Sequence, residues 1–266
     1  MKCVMLTLLL VGIMGCKGEG KDVTKNKINQ SKEQQQSVMF QYPPMLAKVF
    51  EAHGGMATWK RKKSMVFQLG EEVHTLNLSS RMDRVDGPGY SMGFNGNKVW
   101  LFDEGNNYKG DAVFYHNLMS YFYSMPFILG DKGIVYEKTE DLVFKGVSYP
   151  GFRIGFHAGV GITPKDEYYI HYDPKTFKMA WLGYTVSYRS GERSDNVKWI
   201  GYHHWMEVDG VLMPKELIWY EYEGRTLKEP KTPLVFKNVV LSEEAKPILF
   251  FEKPERAVYV SGKNQQ

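Results

Sequence analysis

Cysteine is nearly absent: 2 residues in 266, Cys3 and Cys16. So few thiols exclude a disulfide-stapled fold and Cys-based zinc sites. Catalytic signatures are missing as well. There is no Gly-x-Ser-x-Gly elbow, no phosphate loop and no dinucleotide fingerprint. The 7 histidines show none of the spacings of known zinc motifs. His203 and His204 are neighbours on an expected strand and point to opposite faces. The chain reads as a non-enzyme without metal or cofactor. Charge of one sign is also scarce, with 34 basic against 30 acidic residues and a net charge of +4. That balance is too mild for a nucleic-acid binder. The N-terminal apolar run, residues 4–14, is about 11 residues long where a bilayer core needs roughly 20. No repeat of 20–50 residues is present.

What the N-terminus does have is the three parts of a secretory signal: Lys2, the short apolar run and the small residue Gly15. The run ends Ile13-Met14-Gly15-Cys16, which resembles a bacterial lipobox. The expected cut falls before Cys16. Residues 1–15 are then a signal peptide, and Cys16 becomes a lipidated N-terminus carrying two or three chains of the palmitate kind. Cys3 leaves with the signal, so no disulfide forms within the mature chain. Lipidation also caps a thiol that would otherwise stand alone in an oxidising compartment. At about 0.8 kcal/mol per buried CH₂, several chains hold firmly where one holds marginally. The competing reading is an ordinary signal peptide that ends near a cysteine. Residues 17–41 are polar and low in complexity and bury too little to fold. With Cys16 they make a lipidated, disordered tether (16–41) spanning roughly 25–30 Å. The cluster Lys60-Arg61-Lys62-Lys63 reads as a solvated helix end or as a contact with anionic lipid.

The domain is expected over 42–252, followed by a C-terminal tail, 253–266. Pro44 suits a first helical turn, apolar residues then recur at helical spacing, and Gly54-Gly55 ends the helix. Residues 56–59 look like one further turn. Short strands follow at 65–69, 73–78, 90–94 and 98–102, the last two divided by the hairpin signal Asn95-Gly96-Asn97. A single aromatic helix is expected over 111–129, with Asp111 as its cap. Strands resume at 133–140, 151–156, 167–172, 178–189, 196–208, 211–223 and 234–241, parted by turn signals such as Asp173-Pro174-Lys175-Thr176 and Asp209-Gly210. Asp166-Glu167 reads as a solvated turn. The fold class is mainly β with few helices: a large curved antiparallel sheet, an unclosed β-barrel, with helices covering its concave side.

Alternation splits the strands into two faces. Leu182, Tyr184, Val186 and Tyr188 oppose Trp181, Gly183, Thr185 and Ser187; Ile218, Tyr220 and Tyr222 oppose Trp219 and Glu221. The 111–129 helix is either ordinary core packing or a lid over a cavity for acyl chains. In the second case Phe114, Leu118, Met119 and Phe122 line the cavity from the helix, and Trp100, Tyr184 and Trp219 from the strands. His53, at the end of an apolar helix face, reads as structural.

Several segments together resemble a known family. They are Glu51-Ala52-His53-Gly54-Gly55 with Trp59, Phe114-Tyr115-His116-Asn117, the stretch from Tyr121 through Pro126 to Phe127, Asp166-Glu167-Tyr168 with Tyr172-Asp173-Pro174-Lys175-Thr176, and Glu207 through Gly210 to Lys215. As a set they resemble an uncharacterised group of Bacteroidota-type exported proteins described as outer-membrane lipoprotein-sorting-protein-like, remotely similar to the LolA/LolB/LppX superfamily. The resemblance implies an unclosed barrel with helices on its concave side and acyl chains or lipids held between them. It implies an acyl chain or lipid as ligand; together with the Cys16 anchor, which makes the membrane a partner, the chain is expected in the cell envelope, lipid-anchored at the outer membrane facing the periplasm, and monomeric. The LolA shuttle is soluble, whereas this chain reads as lipidated, which favours a membrane-held receptor or donor. The alternative is a non-catalytic periplasmic or surface interaction protein with a filled core.

Overall fold

The structure is a computed structural model that describes residues 42–156, 165–188 and 190–262. The expected signal, Cys16, the tether and His157 lie outside the described residues. The chain opens with helices α1 (Pro44–Ala52) and α2 (Met56–Arg61), followed by strands β1 (Ser64–Leu69), β2 (Glu72–Asn77), β3 (Asp83–Gly87), β4 (Tyr90–Phe94) and β5 (Val99–Phe102). Helices α3 (Ala112–Tyr115) and α4 (Leu118–Tyr123) and a 3₁₀ turn, Phe127–Gly130, then interrupt the strands. The rest comprises β6 (Ile134–Lys138), β7 (Leu142–Phe144), β8 (Val147–Tyr149), β9 (Gly151–Phe156), β10 (Tyr168–Tyr172), β11 (Met179–Tyr184), β12 (Lys198–Val208), β13 (Val211–Glu223), β14 (Thr226–Pro230) and β15 (Leu234–Ser242). A 3₁₀ turn, Ile248–Phe250, and β16 (Val258–Tyr259) close the described chain.

One 14-stranded sheet runs β16-β5-β4-β3-β2-β1-β15-β13-β12-β11-β10-β9-β6, with β14 added to β13. Its pairings are antiparallel, and β16 and β6 at its two ends do not meet, so the barrel is unclosed. The hairpins fall where their turn residues placed them: Asn95 Oδ1 accepts from the Asn97 and Lys98 amides at 3.1 and 2.9 Å, and Val208 pairs with Val211 across Asp209-Gly210. The β1–β15 pairing joins the two halves, with Ser64 opposite Ser242 and Leu69 opposite Phe236.

The helices cover one face of the sheet. Leu46, Val49 and Phe50 of α1 are buried, and Phe127 stacks on Trp59 at 4.8 Å and on Phe50 at 6.4 Å. Tyr123 stacks on Phe236 at 3.9 Å and leans on Phe67 at 4.8 Å. This centre is filled with fully buried rings. The aromatic helix expected over 111–129 is two short helices and a 3₁₀ turn. Asp111 does cap it, accepting from the Val113 and Phe114 amides. The pieces are fixed to different strands: Tyr115 of α3 donates to Glu72 on β2, and the Phe122 carbonyl of α4 accepts from Tyr202 on β12.

The outer face is not bare. Leu142, Trp181, Trp199, Tyr220 and Leu227 form a second core there, under the β7–β8 hairpin and β14. Trp100, also on this face, donates to the Phe251 carbonyl at 2.9 Å. The chain beyond Glu252, expected as a tail, adds the edge strand β16 to β5 and buries Ala257.

Two solvated readings need correction. Lys62, in the basic cluster, is buried and paired with Asp209 at 2.5 Å and Glu243 at 3.4 Å. Asp166 is buried and accepts from the Ser187 amide at 2.6 Å, while Glu167 pairs with Arg153 at 3.4 Å and with Arg193. Local sequence shows charges but not the long-range partners that draw them inward.

Candidate functional site: an aromatic-floored cleft on the helix-covered face

β11, β12 and β13 lie side by side, with Tyr184 opposite Lys198 and Trp199 opposite Tyr220. Alternation puts Tyr184 and Lys198 on the same face as Ile200 and Tyr202, and the same register brings Trp219 and Glu221 to it. Phe122 of α4 comes down onto them, 4.9 Å from the Tyr184 ring and 5.9 Å from Trp219. Trp219 Nε1 donates to Tyr184 Oη at 2.9 Å. The Tyr202 hydroxyl donates to the Phe122 carbonyl at 2.7 Å and so fixes the end of α4 above the strands. Burial pushes the Tyr184 and Tyr202 phenols up, and both stay neutral near pH 7.

These residues border a cleft of ≈ 440 Å³, lined by Tyr184, Lys198, Trp219, Tyr220, Glu221, Tyr222 and Lys231. The volume falls within the ~300–1,000 Å³ usual for small-molecule sites. Lys231 pairs with Glu221 at 2.9 Å. The Tyr222 hydroxyl donates to Asn196 Oδ1 at 2.9 Å. Lys198 is exposed and makes no ion pair among the described residues. The cleft thus brings the rings of Tyr184 and Trp219 together with three charged side chains, of which Lys198 has no ion-pair partner among the described residues.

Of the expected cavity residues, Phe122, Tyr184 and Trp219 come together here. Met119 is buried one helical turn before Phe122. Phe114 is half-buried on α3 and packs on Tyr188 at 4.9 Å, and Leu118 is half-buried at the start of α4. Trp100 is not part of the group, because it faces the outer side of β5 under the C-terminal 3₁₀ turn. Sequence reasoning missed Lys198, Glu221 and Lys231. The period-2 alternation of β12 carried the signal for Lys198, two positions before Ile200.

A second polar cluster lies where α3 meets the sheet. Glu72 accepts from the Tyr90 hydroxyl, from the Tyr115 hydroxyl at 2.5 Å and from His74 Nε2 at 3.1 Å. Burial alone would raise its carboxyl; the hydrogen bonds from His74, Tyr115 and Tyr90 outweigh burial and hold it below the usual range. Beside it His116 Nδ1 lies 2.7 Å from Asp83 Oδ2, both side chains buried. Burial raises the Tyr90, Tyr115 and Asp83 groups, so the phenols act as neutral donors. The arrangement is a latch for α3. Tyr115→Phe removes a hydrogen bond to a carboxylate and should lower stability by about 1.5–3 kcal/mol. Urea unfolding measures this, and an unchanged midpoint would remove the latch. No group of three or more His, Cys, Asp or Glu among the described residues is arranged to hold a metal ion.

Residues 91–201 match the model of a family of unknown function, DUF6503. None of the curated proteins matches the chain significantly. Among solved structures the chain is similar to a DUF1329 family protein from Desulfovibrio piger, at 12% identity and a TM-score of 0.47, covering 79% of this chain and 98% of that one. It is similar to a LolA superfamily protein from Nitrosomonas europaea, at 10% identity and a TM-score of 0.42, covering 71% and 87%. A third is an outer membrane lipoprotein-sorting protein domain from Vibrio parahaemolyticus, at 12% identity and a TM-score of 0.37, covering 72% and 92%.

Proposed function

We propose that this chain is an envelope lipoprotein, anchored through Cys16 at the outer membrane, that takes up the acyl chain of an anionic amphiphile in the Tyr184–Trp219 cleft. The observation that carries the reading is a ≈ 440 Å³ cleft lined by the Tyr184 and Trp219 rings, which Phe122 backs at 4.9 and 5.9 Å, with Lys198 lacking an ion-pair partner among the described residues. Each Å² of apolar area removed from water contributes roughly 25 cal/mol, so an acyl chain binds here without any polar motif. Lys198 then selects the head group. Reversible burial of this kind serves the movement of lipid or lipoprotein acyl chains between carriers.

The test is native mass spectrometry of protein purified from its own envelope, with displacement of a fluorescent fatty acid. A co-purifying acyl lipid is expected. Trp219→Ala should weaken the fatty acid at least ten-fold, and Lys198→Glu should weaken it while sparing a long-chain alcohol. Absence of both lipid and exchange would sink the proposal. A second reading, an interaction protein without a ligand, is favoured by the fully buried rings of Phe50, Phe67, Tyr123 and Phe127 at the centre of the same face. It expects Trp219→Ala to change nothing that binds.

A further inference from the structure

We infer that the C-terminal 3₁₀ turn, Ile248–Phe250, is a membrane-contact tip that inserts Ile248 and Leu249 into a lipid surface. Leu249 is 83% exposed and Ile248 65% exposed, side by side in sequence. Chain mobility does not explain their exposure, because the turn is built to present them. The Phe250 amide donates to the Pro247 carbonyl and the Phe251 amide to the Ile248 carbonyl, both at 3.0 Å. Phe251 is fully buried, and its carbonyl accepts from Trp100 Nε1 at 2.9 Å. Arg84 lies over both Phe250 and Trp100, at 5.2 and 5.7 Å. Lys253 Nζ donates to the carbonyls of Pro254, Glu255 and Ala257. With Phe251 turned inward and everything around it fixed, the two aliphatic side chains are held in water.

The size of the patch decides the occupant. A stable protein interface buries roughly 800 Å² per partner, far more than two side chains supply. A bilayer accepts a small apolar tip and rewards each buried CH₂. The surroundings fit the polar boundary of a membrane. Lys246 is exposed two positions before Ile248, and Lys stems reach phosphates while their methylenes stay in the apolar layer. Tyr259 is 47% exposed on the same face, with Lys98 and Lys253 over its ring at 5.4 and 5.8 Å. Asn95 Nδ2 joins the two parts, reaching Glu252 at 3.1 Å and Tyr259 at 3.4 Å. Of the flanking acidic side chains, Glu243 pairs with Arg61 and Lys62 and Glu252 accepts from Asn95, while Glu244 and Glu255 are exposed. The tip needs no ligand in the cleft; it fixes which side of the domain meets the bilayer.

The experiment places a bimane probe on Leu249→Cys in the full chain, purified from its envelope and reconstituted into vesicles of phosphatidylethanolamine and phosphatidylglycerol that carry nitroxide-labelled lipid. The parent chain serves as the blank. A second probe sits on Val143→Cys, 62% exposed on the β7–β8 hairpin. The probe at 249 should lose at least half its emission, the probe at 143 almost none, and adding Ile248→Asp should restore emission at 249. Equal quenching at both positions, or none at 249, overturns the inference. So does light scattering that shows a dimer dispersed by Ile248→Asp, since a second copy would then be the occupant.

Discussion

Gly54→Ala should cost the domain about 4 kcal/mol or more, placing it among the rare point changes that unfold a protein outright. Gly54 has φ +101°, and a Cβ there would stand 2.1 Å from the Gly210 carbonyl oxygen and 3.2 Å from the Val211 Cα. Neither neighbour is a side-chain end that can swing away. Both belong to the β12–β13 turn, and the Leu212 amide donates to the His53 carbonyl at 2.9 Å, stitching the end of α1 to that turn. Relieving the overlap means prising α1 from the sheet and losing the buried Leu46, Val49 and Phe50 with it. Gly70→Ala is the control. Gly70 also has positive φ, at +60°, but nothing lies within 4 Å of its would-be Cβ, so only the left-handed backbone cost of roughly 1–2 kcal/mol applies. Soluble yield and urea midpoints of the two variants separate the effects. A Gly54→Ala protein as stable as the Gly70→Ala protein would show that the α1 contact is not rigid.

Acid should destabilise the fold well before its carboxylates titrate. Burial is the main cause that lowers His53 to about 4, with Lys178 adding to it against the Val49 carbonyl. Burial likewise takes His171 to about 4, with Arg225 adding to it and the Tyr149 carbonyl opposing. The geometry is the same at both. His53 Nδ1 is 2.7 Å from the Val49 carbonyl, and its Nε2 accepts from the Met179 amide at 3.3 Å. His171 Nδ1 is 2.9 Å from the Tyr149 carbonyl, and its Nε2 faces Arg225 at 3.3 Å. In each ring Nδ1 donates and Nε2 must stay unprotonated. The folded values lie below the unfolded value of 6.5, so the unfolded chain takes up protons first. Stability from these groups is complete above pH 6.5 and falls with the pH until about 4. The slope is about 1.4 kcal/mol per pH unit for each ring, or about 4 kcal/mol for the pair at pH 5. His203, lowered by burial, adds to the loss, while Asp83 and Asp131, raised by burial, oppose it. Urea unfolding at pH 7 and pH 5 reads the difference, and His171→Gln should take away about half the slope. A flat profile between those values would contradict the assignment.

What sequence could reveal followed from period and turn chemistry. β9 and β13 begin and end where alternation and turn residues placed them, and β15 extends one residue further. The short strands β3, β7, β8, β14 and β16 escaped because they are two to five residues long, too short to show a period, and β3 and β14 are also rich in charge. Of these, β16 pairs with the distant β5, which its own sequence does not show. The rings of the cleft were legible one by one as Phe122, Tyr184 and Trp219, since each sits on an apolar stripe. Trp100 looked the same locally, yet the outer face of this sheet is also apolar, and alternation alone does not say which face the helices cover. Alternation put Lys198 on the face of Ile200, but Lys231 lies just past β14 and had no pattern of its own to mark it.

The β1–β15 joint also sets an order of events in synthesis. β1 emerges early and its neighbour β15 almost last, so while the chain is being made the N-terminal half-sheet ends in an open β1 edge and the C-terminal half in an open β13 edge. β13 meets β15 through only Glu216–Val235 and Leu217–Leu234, so the bond between the halves is thin even when complete. A chain cut before Leu234 therefore carries two unsatisfied edges with apolar residues along them, the kind that pair with other chains. The segment from Leu234 onward decides whether the two half-sheets close into one.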